Sequence, residues 1–305
     1  MSAAGQEGAL ARVQRYDAFG GEAGALRYVL LDVFAERALE GNQLAVFTDP
    51  GELDSETMQA IARELRLSES VFLLGAREGG EARARIFTPE AELPFAGHPV
   101  LGAAAVVGAA LERSTVALET GSGPVTVELE AGSSALAVAA SMKQPIPTWE
   151  LVAEPAPLLA ALGLESSLLP VERYSNGPSH ILVAAGSPEQ VAGLEPDLRA
   201  VAALAGAAGV SCFAGEAGDF KTRMFAPGIG VPEDPATGSA AGPLAVHLVR
   251  YGRAGYGEQL EIHQGAELGR PSLLLASAHG HGGNFDRVEV GGRVLTVGSG
   301  ALRPR

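Results

Sequence analysis

Residues 85–89 read RIFTP and residues 223–227 read RMFAP, and each is followed by the same succession of segments. After RIFTP comes a loop rich in Pro and Glu, then GHPVLGAAAVVGAAL from Gly97. After RMFAP comes GIGVPEDPAT, then GSAAGPLAVHLV from Gly238. Further on, LETGSGPVTVEL (118–129) is matched by EIHQGAELGRPSLLLA (261–276), again a strand, a Gly turn and a strand. Upstream, Gly41-Asn42 has a looser counterpart in Asn176-Gly177. A repeat of this length is one supersecondary unit used twice. The chain is therefore expected to form two similar lobes.

The segments at 99–110 and 240–250 are apolar nearly all round, and such a helix is normally enclosed on every side. In a unit otherwise made of strands, the available enclosure is a curved, mostly antiparallel sheet. The expected fold class is α+β: two duplicated lobes, each a sheet wrapped around a central helix, related by a pseudo-two-fold with a cleft between them. The prolines of MKQPIPTWE (142–150) suit the crossover between lobes. The expected division is a loosely held tail over 1–24, an N-terminal lobe over 25–145 and a C-terminal lobe over 146–305. The final strand is allowed to return to the first lobe. Within the first lobe, 27–47 reads as two strands about a turn at Gly41-Asn42. Residues 55–67 read as a helix capped by Asp54 or Ser55. Glu69 then stands at a helix exit and a strand entry.

Composition narrows the partners. The 305 residues carry 22 basic and 36 acidic side chains, a formal charge of -14, which is the wrong sign for binding a phosphate backbone. No nucleic acid partner is expected, and no apolar run approaches the roughly 20 residues that span a bilayer. Cys212 is the sole cysteine, which excludes an internal disulfide and fits a reducing cytoplasm; it reads as a small buried hydrophobe. His279 and His281, in AHGHGG, read as hairpin residues rather than metal ligands.

An acidic protein that binds a small carboxylate must attract it locally. A helix start can do so, because about four N–H groups lack intrahelical partners there and the peptide dipoles add roughly half a positive charge. Gly97 and Gly238 allow close approach of a ligand to two such starts. Ser239 offers a hydroxyl, and His98 and Asp234 offer titratable groups. Pro99 reads as the first helical residue. Each also has a plainer use: Asp234 as a turn acid before Pro235, His98 as a capping histidine, Glu69 as a surface acid. The positions Ala96-Gly97-His98 and Thr237-Gly238-Ser239 carry no thiol, so a pair of cysteine bases is excluded.

LSESVFLL, RIFTPEAELPFAGHPVLGAA, SMKQPIPTWE, NGPSHILVA, RMFAPGIGVPEDPATGSAAGPLAVHL and GEQLEIHQGAELGRPSLL together resemble the PhzF phenazine-biosynthesis isomerases of the diaminopimelate-epimerase-like superfamily. The resemblance implies a homodimeric isomerase of trans-2,3-dihydro-3-hydroxyanthranilate, working without metal or other cofactor. It implies Glu69 as proton shuttle, His98 and Asp234 as further catalytic groups, and Gly97, Gly238 and Ser239 as substrate-binding positions. The rival readings are an isomerase or epimerase for another small amino or hydroxy acid, and a carboxylate-binding protein without turnover.

Overall fold

The computed structural model describes residues 25–132, 136–206 and 208–303; the expected tail over 1–24 lies outside them. The chain divides into two compact units. One is built from the N-terminal part through Met142 together with the segment from Gly292 onward; the other spans Lys143–Gly291.

The first unit contains β1 (Leu26–Val33), β2 (Asn42–Phe47), α1 (Ser55–Leu65), β3 (Glu69–Leu74), β4 (Ala82–Phe87), β5 (Glu92–Leu93), α2 (Gly97–Leu111), β6 (Thr115–Thr120), β7 (Gly123–Ala131) and most of β8 (Ala137–Gln144). The second contains β9 (Thr148–Leu151), α3 (Ala156–Leu162), β10 (Glu172–Ser175), β11 (Ser179–Ala184), α4 (Pro188–Ala192), α5 (Leu198–Ala205), β12 (Gly209–Glu216) and β13 (Asp219–Ala226). It continues through β14 (Val231–Asp234), α6 (Gly238–Arg250), β15 (Leu260–Gln264) and β16 (Ser272–His281). The last strand, β17 (Asn284–Leu302), pairs with β16 over its first part and with β1 over its last.

Pairing within the units is the same. β2 runs parallel to β3, β3 antiparallel to β4, β4 antiparallel to β5 and parallel to β6, and β6 antiparallel to β7. In the second unit β11 runs parallel to β12, β12 antiparallel to β13, β13 antiparallel to β14 and parallel to β15, and β15 antiparallel to β16. The repeated arginines perform one job twice. Arg85 grips Glu92 through Nε and Nη2 at 2.7 and 2.6 Å, and Arg223 grips Glu233 through the same atoms, both at 2.8 Å. Each guanidinium also lies 5.0 Å from the ring two residues on, Phe87 or Phe225. A bidentate fork of this kind fixes direction as well as distance, so each sets the path of the loop that leads into a central helix.

Those central helices are enclosed as their composition requires. In α2 only Ala105, Ala109 and Ala110 escape full burial; in α6 only Arg250 does. α2 packs against β1, β2, β3, β4, β6 and β7, and α6 against β11 and β16. The other helices cover the outer faces: α1 closes a cluster of Phe47, Phe72, Phe87, Met58 and Ile61, while α3 and α5 close one around Leu162, Val183, Val201, Val210 and Phe225.

Three local expectations shift. Asn42 opens β2 instead of sitting in a tight turn, because residues 34–41 form a wider loop around Asp32, a buried carboxylate that accepts the N–H of Leu39 at 2.6 Å. α1 stops at Leu65, two residues early, where Arg66 enters the left-handed region and returns its N–H to Ala62. Asp54 is the cap, accepting from Thr57 N at 2.8 Å. Both central helices begin earlier than expected, so Pro99 is the third helical residue of α2, not the first. Its missing N–H remains harmless there, since the first four have no intrahelical acceptor.

Gly102 lets α2 close on the sheet: an added Cβ would meet Leu44 Cδ2 at 2.4 Å and Leu31 Cδ1 at 3.1 Å, both buried. Gly102→Ala gains helix propensity of about 1 kcal/mol, but overpacking a full core costs about 1–3 kcal/mol. A net loss of stability is expected, read as a lower urea midpoint at unchanged slope; a raised midpoint would show that the sheet yields freely to the helix.

Candidate active site

In the first unit, three elements deliver polar groups to the start of α2. β2 brings Asn42, β3 brings Glu69 as its first residue, and α2 itself brings Gly97 and His98. His98 is buried, with Nε2 3.3 Å from Glu69 Oε2, at an angle short of a hydrogen bond, and Nδ1 3.4 Å from Asn42 Nδ2. Burial pushes the His98 pKa down to about 3, against a smaller upward effect of a backbone hydrogen bond with Gln43. The ring is thus neutral at ordinary pH. With Asn42 at Nδ1, Nε2 is the nitrogen that faces the carboxyl group. The structure therefore brings Glu69, Gly97 and His98 together; they belong to a single unit.

In the second unit, Asp234, Gly238 and Ser239 meet at the start of α6, joined by residues the sequence reading did not single out. Thr237 Oγ1 donates to Asp234 Oδ2 at 2.5 Å, and Gln264 Nε2 donates to Thr237 Oγ1 at 3.0 Å and to the Asp234 carbonyl at 2.7 Å. Gln144 Nε2 donates to the Gly238 carbonyl at 2.9 Å. Asn176 Nδ2 donates to the Ser239 carbonyl at 3.0 Å and to Gln144 Oε1 at 3.1 Å. His180 Nε2 lies 3.1 Å from Ser239 Oγ.

The Asn176 bond has a definite cause. Pro243 lies inside α6 and has no N–H for the carbonyl four residues earlier, which is that of Ser239. Asn176 supplies the donor that the helix lacks. The signal in the sequence was the proline itself, which asks where the orphaned carbonyl goes.

The starts of these two helices differ from those of α1, α4 and α5. The latter are capped by the side chains of Asp54, Ser187 and Asp197. Ala96 has no capping group, and Thr237 turns its hydroxyl to Asp234 instead of back to the helix. First-turn N–H groups at Gly97 and Gly238 are therefore not competed for by a cap, which is the condition for anion binding at a helix start.

The remaining candidates have other roles. Cys212 is fully buried, and its thiol is pushed up to about 12 by burial. His279 contacts Ser277, Arg287 and Glu289 within the β16–β17 hairpin. Among the described residues, no group of three or more His, Cys, Asp or Glu side chains is placed to hold a metal ion, and no helix is long and apolar enough to cross a membrane.

Strand register gives the correspondence between units residue by residue. β3 and β4 pair Phe72 with Arg85, and β12 and β13 pair Cys212 with Arg223. Aligning the arginines makes Gly209 the counterpart of Glu69. The parallel pairs agree: Leu44 is opposite Glu69, and His180 is opposite Gly209. His98 likewise corresponds to Ser239, each the second residue of its helix. The frame is duplicated, but the carboxyl at the strand start is not.

This architecture, a sheet about a central helix built twice, is the diaminopimelate-epimerase-like α+β class. The family profile described as phenazine biosynthesis-like protein (PhzC-PhzF) matches residues 31–300, and the chain belongs to that family. It is 50% identical over 274 residues to the trans-2,3-dihydro-3-hydroxyanthranilate isomerase of Pseudomonas aeruginosa, covering 90% of this chain and 98% of that one. The enzyme of the same description from Pseudomonas fluorescens is 49% identical over 275 residues, with the same coverage. The solved structure of a predicted epimerase from Pseudomonas aeruginosa superposes with a TM-score of 0.80 at 37% identity, covering 92% of this chain and all of the other.

Two outcomes follow from the site. Replacing Asn176 by Leu leaves a buried carbonyl without its donor, at a cost of about 1–3 kcal/mol. Pro243→Ala restores an N–H to the helix, so the double variant is expected to be more stable than the single effects add up to, by about 1 kcal/mol in a urea-unfolding cycle. Additive effects would remove the proline from the explanation. The second outcome concerns pH. Burial lowers the pKa of His98 to about 3 and of His180 and His247 to about 4, each below the unfolded value. The stability these neutral rings carry is complete above pH ~6.5 and is lost as pH falls towards the folded values, by about 1.4 kcal/mol per pH unit for each. Unfolding free energy that stayed level between pH 6 and 5 would contradict the burial of all three.

Proposed function

We propose that the chain is a trans-2,3-dihydro-3-hydroxyanthranilate isomerase in which one carboxyl group, Glu69, both removes and returns the proton. The reading is supported by the two isomerases that are half identical to it over nine-tenths of its length. The observation that carries the mechanism is the Glu69–Gly209 correspondence, given by the register of β3 with β4 and of β12 with β13. A frame that used the strand start as a base in both halves would need a carboxyl at each, and this chain has a carboxyl at one strand start and a hydrogen atom at the other.

The proposed reaction moves a proton and a double bond and nothing else. Glu69 takes the proton from the ring carbon that bears the hydroxyl group. The electron pair left behind shifts through the conjugated system, and the protonated Glu69 returns the proton at another carbon of the same ring face. The resulting enol becomes the ketone of 6-amino-5-oxocyclohex-2-ene-1-carboxylate, so substrate and product are isomers. No electron is gained or lost, and no cofactor is assigned. His98, neutral and 3.3 Å from Glu69, is assigned to steady the carboxyl in both protonation states. On the resemblance alone, Asp234 is proposed as a further catalytic group, and Gly97, Gly238 and Ser239 as substrate-binding positions. A cytoplasmic homodimer is proposed with it, on the resemblance alone.

The test is ultraviolet monitoring of the diene on mixing with the dihydrohydroxyanthranilate, with chelator present. The wild-type chain is expected to bleach it. Glu69→Gln is expected to lose at least ~10²-fold in kcat/KM, the lower bound for acid–base assistance, with an unchanged circular dichroism spectrum. An inert wild-type chain would overturn the substrate assignment. A Glu69→Gln variant retaining most turnover would overturn the carrier.

A further inference from the structure

The second unit holds a buried titratable side chain to which the proposed reaction gives no part. His180 is the second residue of β11, 3% exposed, with Nε2 3.1 Å from Ser239 Oγ. Its other ring nitrogen, Nδ1, is buried and makes no hydrogen bond. Nδ1 lies against Gly209: a Cβ added there would stand 3.1 Å from Nδ1, 2.5 Å from Met224 Cε and 3.0 Å from Met224 Sδ. The residue that replaces Glu69 in the duplicate is thus the one whose missing side chain admits this ring.

The surroundings choose the tautomer. Burial, the sole cause at work, lowers the His180 pKa to about 4, so at neutral pH the ring carries one proton, on one nitrogen. A proton on Nδ1 would be a buried donor without an acceptor, at a cost of about 1–3 kcal/mol. A proton on Nε2 finds Ser239 Oγ, and the bare lone pair left on Nδ1 is the milder orphan, as under-satisfied acceptors are commoner than orphaned N–H groups. The ring therefore donates, and Ser239 Oγ accepts.

A serine hydroxyl has one hydrogen and two lone pairs. Once a lone pair is occupied by Nε2–H, the hydroxyl hydrogen must turn away from the ring. In the opposite tautomer the hydrogen would be tied to Nε2, and Ser239 would show a ligand only lone pairs, which repel an anion. We infer that His180 is a positioning residue that turns the Ser239 hydroxyl into a hydrogen-bond donor for the carboxylate of the substrate. Ser239 is the second residue of α6, a helix whose cap side chain does not reach back to its N–H groups, so hydroxyl and backbone donors act on the same anion. The identity of that anion rests on the isomerase reading; the direction of the hydrogen bond does not.

Two measurements test this separately. The first is nitrogen NMR of the full chain carrying ring-labelled histidine, with the His180 resonances assigned by their loss in His180→Gln. A protonated Nε2 and a bare Nδ1 are expected; the reverse tautomer, or a doubly protonated ring at pH 7, would overturn the inference whatever the enzyme acts on. The second is steady-state kinetics with the dihydrohydroxyanthranilate. His180→Leu removes the donor and is expected to raise KM about tenfold, the equivalent of one lost hydrogen bond to a charged group, with kcat within about threefold. His180→Gln, whose amide N–H can replace Nε2–H, is expected to recover most of that loss. Ser239→Ala combined with His180→Leu is expected to be no worse than Ser239→Ala alone. If the two losses multiply, or His180→Gln behaves like His180→Leu, His180 acts on packing and not through the hydroxyl. Should the wild-type chain not turn over this substrate at all, the functional reading fails while the NMR result still decides the hydrogen bond.

Discussion

A helix with no polar face cannot lie on a surface, and that constraint organises each half of this protein. α2 and α6 bury nearly every residue, so each needs a sheet that curves around it instead of one that lies flat. The same enclosure reaches the first turn of each helix, where N–H groups lack intrahelical partners. Side-chain caps are present on α1, α4 and α5 and missing from both central helices and from the short α3, which starts at the exposed surface. A buried helix start without its own cap is a place where an outside acceptor is favoured, so the packing that makes the core also leaves free the first-turn donors that the proposed substrate carboxylate would use.

Duplication then lets one frame carry two chemistries. The elements that set geometry are kept in both copies: the Arg–Glu forks, the aromatic ring beneath each guanidinium, the glycine at each helix start. The positions at the strand starts and helix starts, and their strand neighbours, have diverged. Glu69 answers to Gly209, Leu44 to His180, and His98 to Ser239. These changes are coupled by space. With a carboxyl at the strand start, its parallel neighbour is the apolar Leu44; with glycine there, the neighbour is a ring that needs the vacated room. One half thereby keeps a carboxyl at its strand start, and the other a buried ring beside the Ser239 hydroxyl.

The repeat made the architecture legible, because RIFTP and RMFAP sit at matching places before two segments of unusual composition. The enclosed helices followed from the absence of a polar face. The helix-start residues Gly97, His98, Gly238 and Ser239 were legible for the same reason, and Asp234 through the turn that precedes them. What could not be read was the supporting polar set: Asn42 as a strand residue, Gln144, Asn176, His180 and Gln264. Each lies at the end of a strand or beside one, where a single polar residue breaks no period and its partner is distant in sequence. Gln144 and the Gly238 carbonyl are 94 residues apart. Pro243 was the one available clue, since a proline within a helix leaves a specific carbonyl to be satisfied elsewhere. The tight turn at Gly41-Asn42 failed because a buried Asp32 side chain organises the loop, and burial of a lone acid has no local signature.

Neutrality of the histidine beside Glu69 bears on the proposed mechanism, in which a single group does two opposite jobs. A carrier must be a base at one moment and an acid at the next, so neither of its states can be strongly preferred. An imidazolium 3.3 Å away would favour the ionised carboxylate and penalise the protonated half of the cycle. A neutral ring adds no charge that would favour one protonation state of the carboxyl over the other. Burial of His98, which costs the chain stability in acid, is what keeps the ring neutral. The pH sensitivity of the fold and, in the proposed mechanism, the evenness of the carrier therefore come from the same buried side chain, and a surface-exposed histidine at that position could not supply the second without becoming charged near pH 6.5.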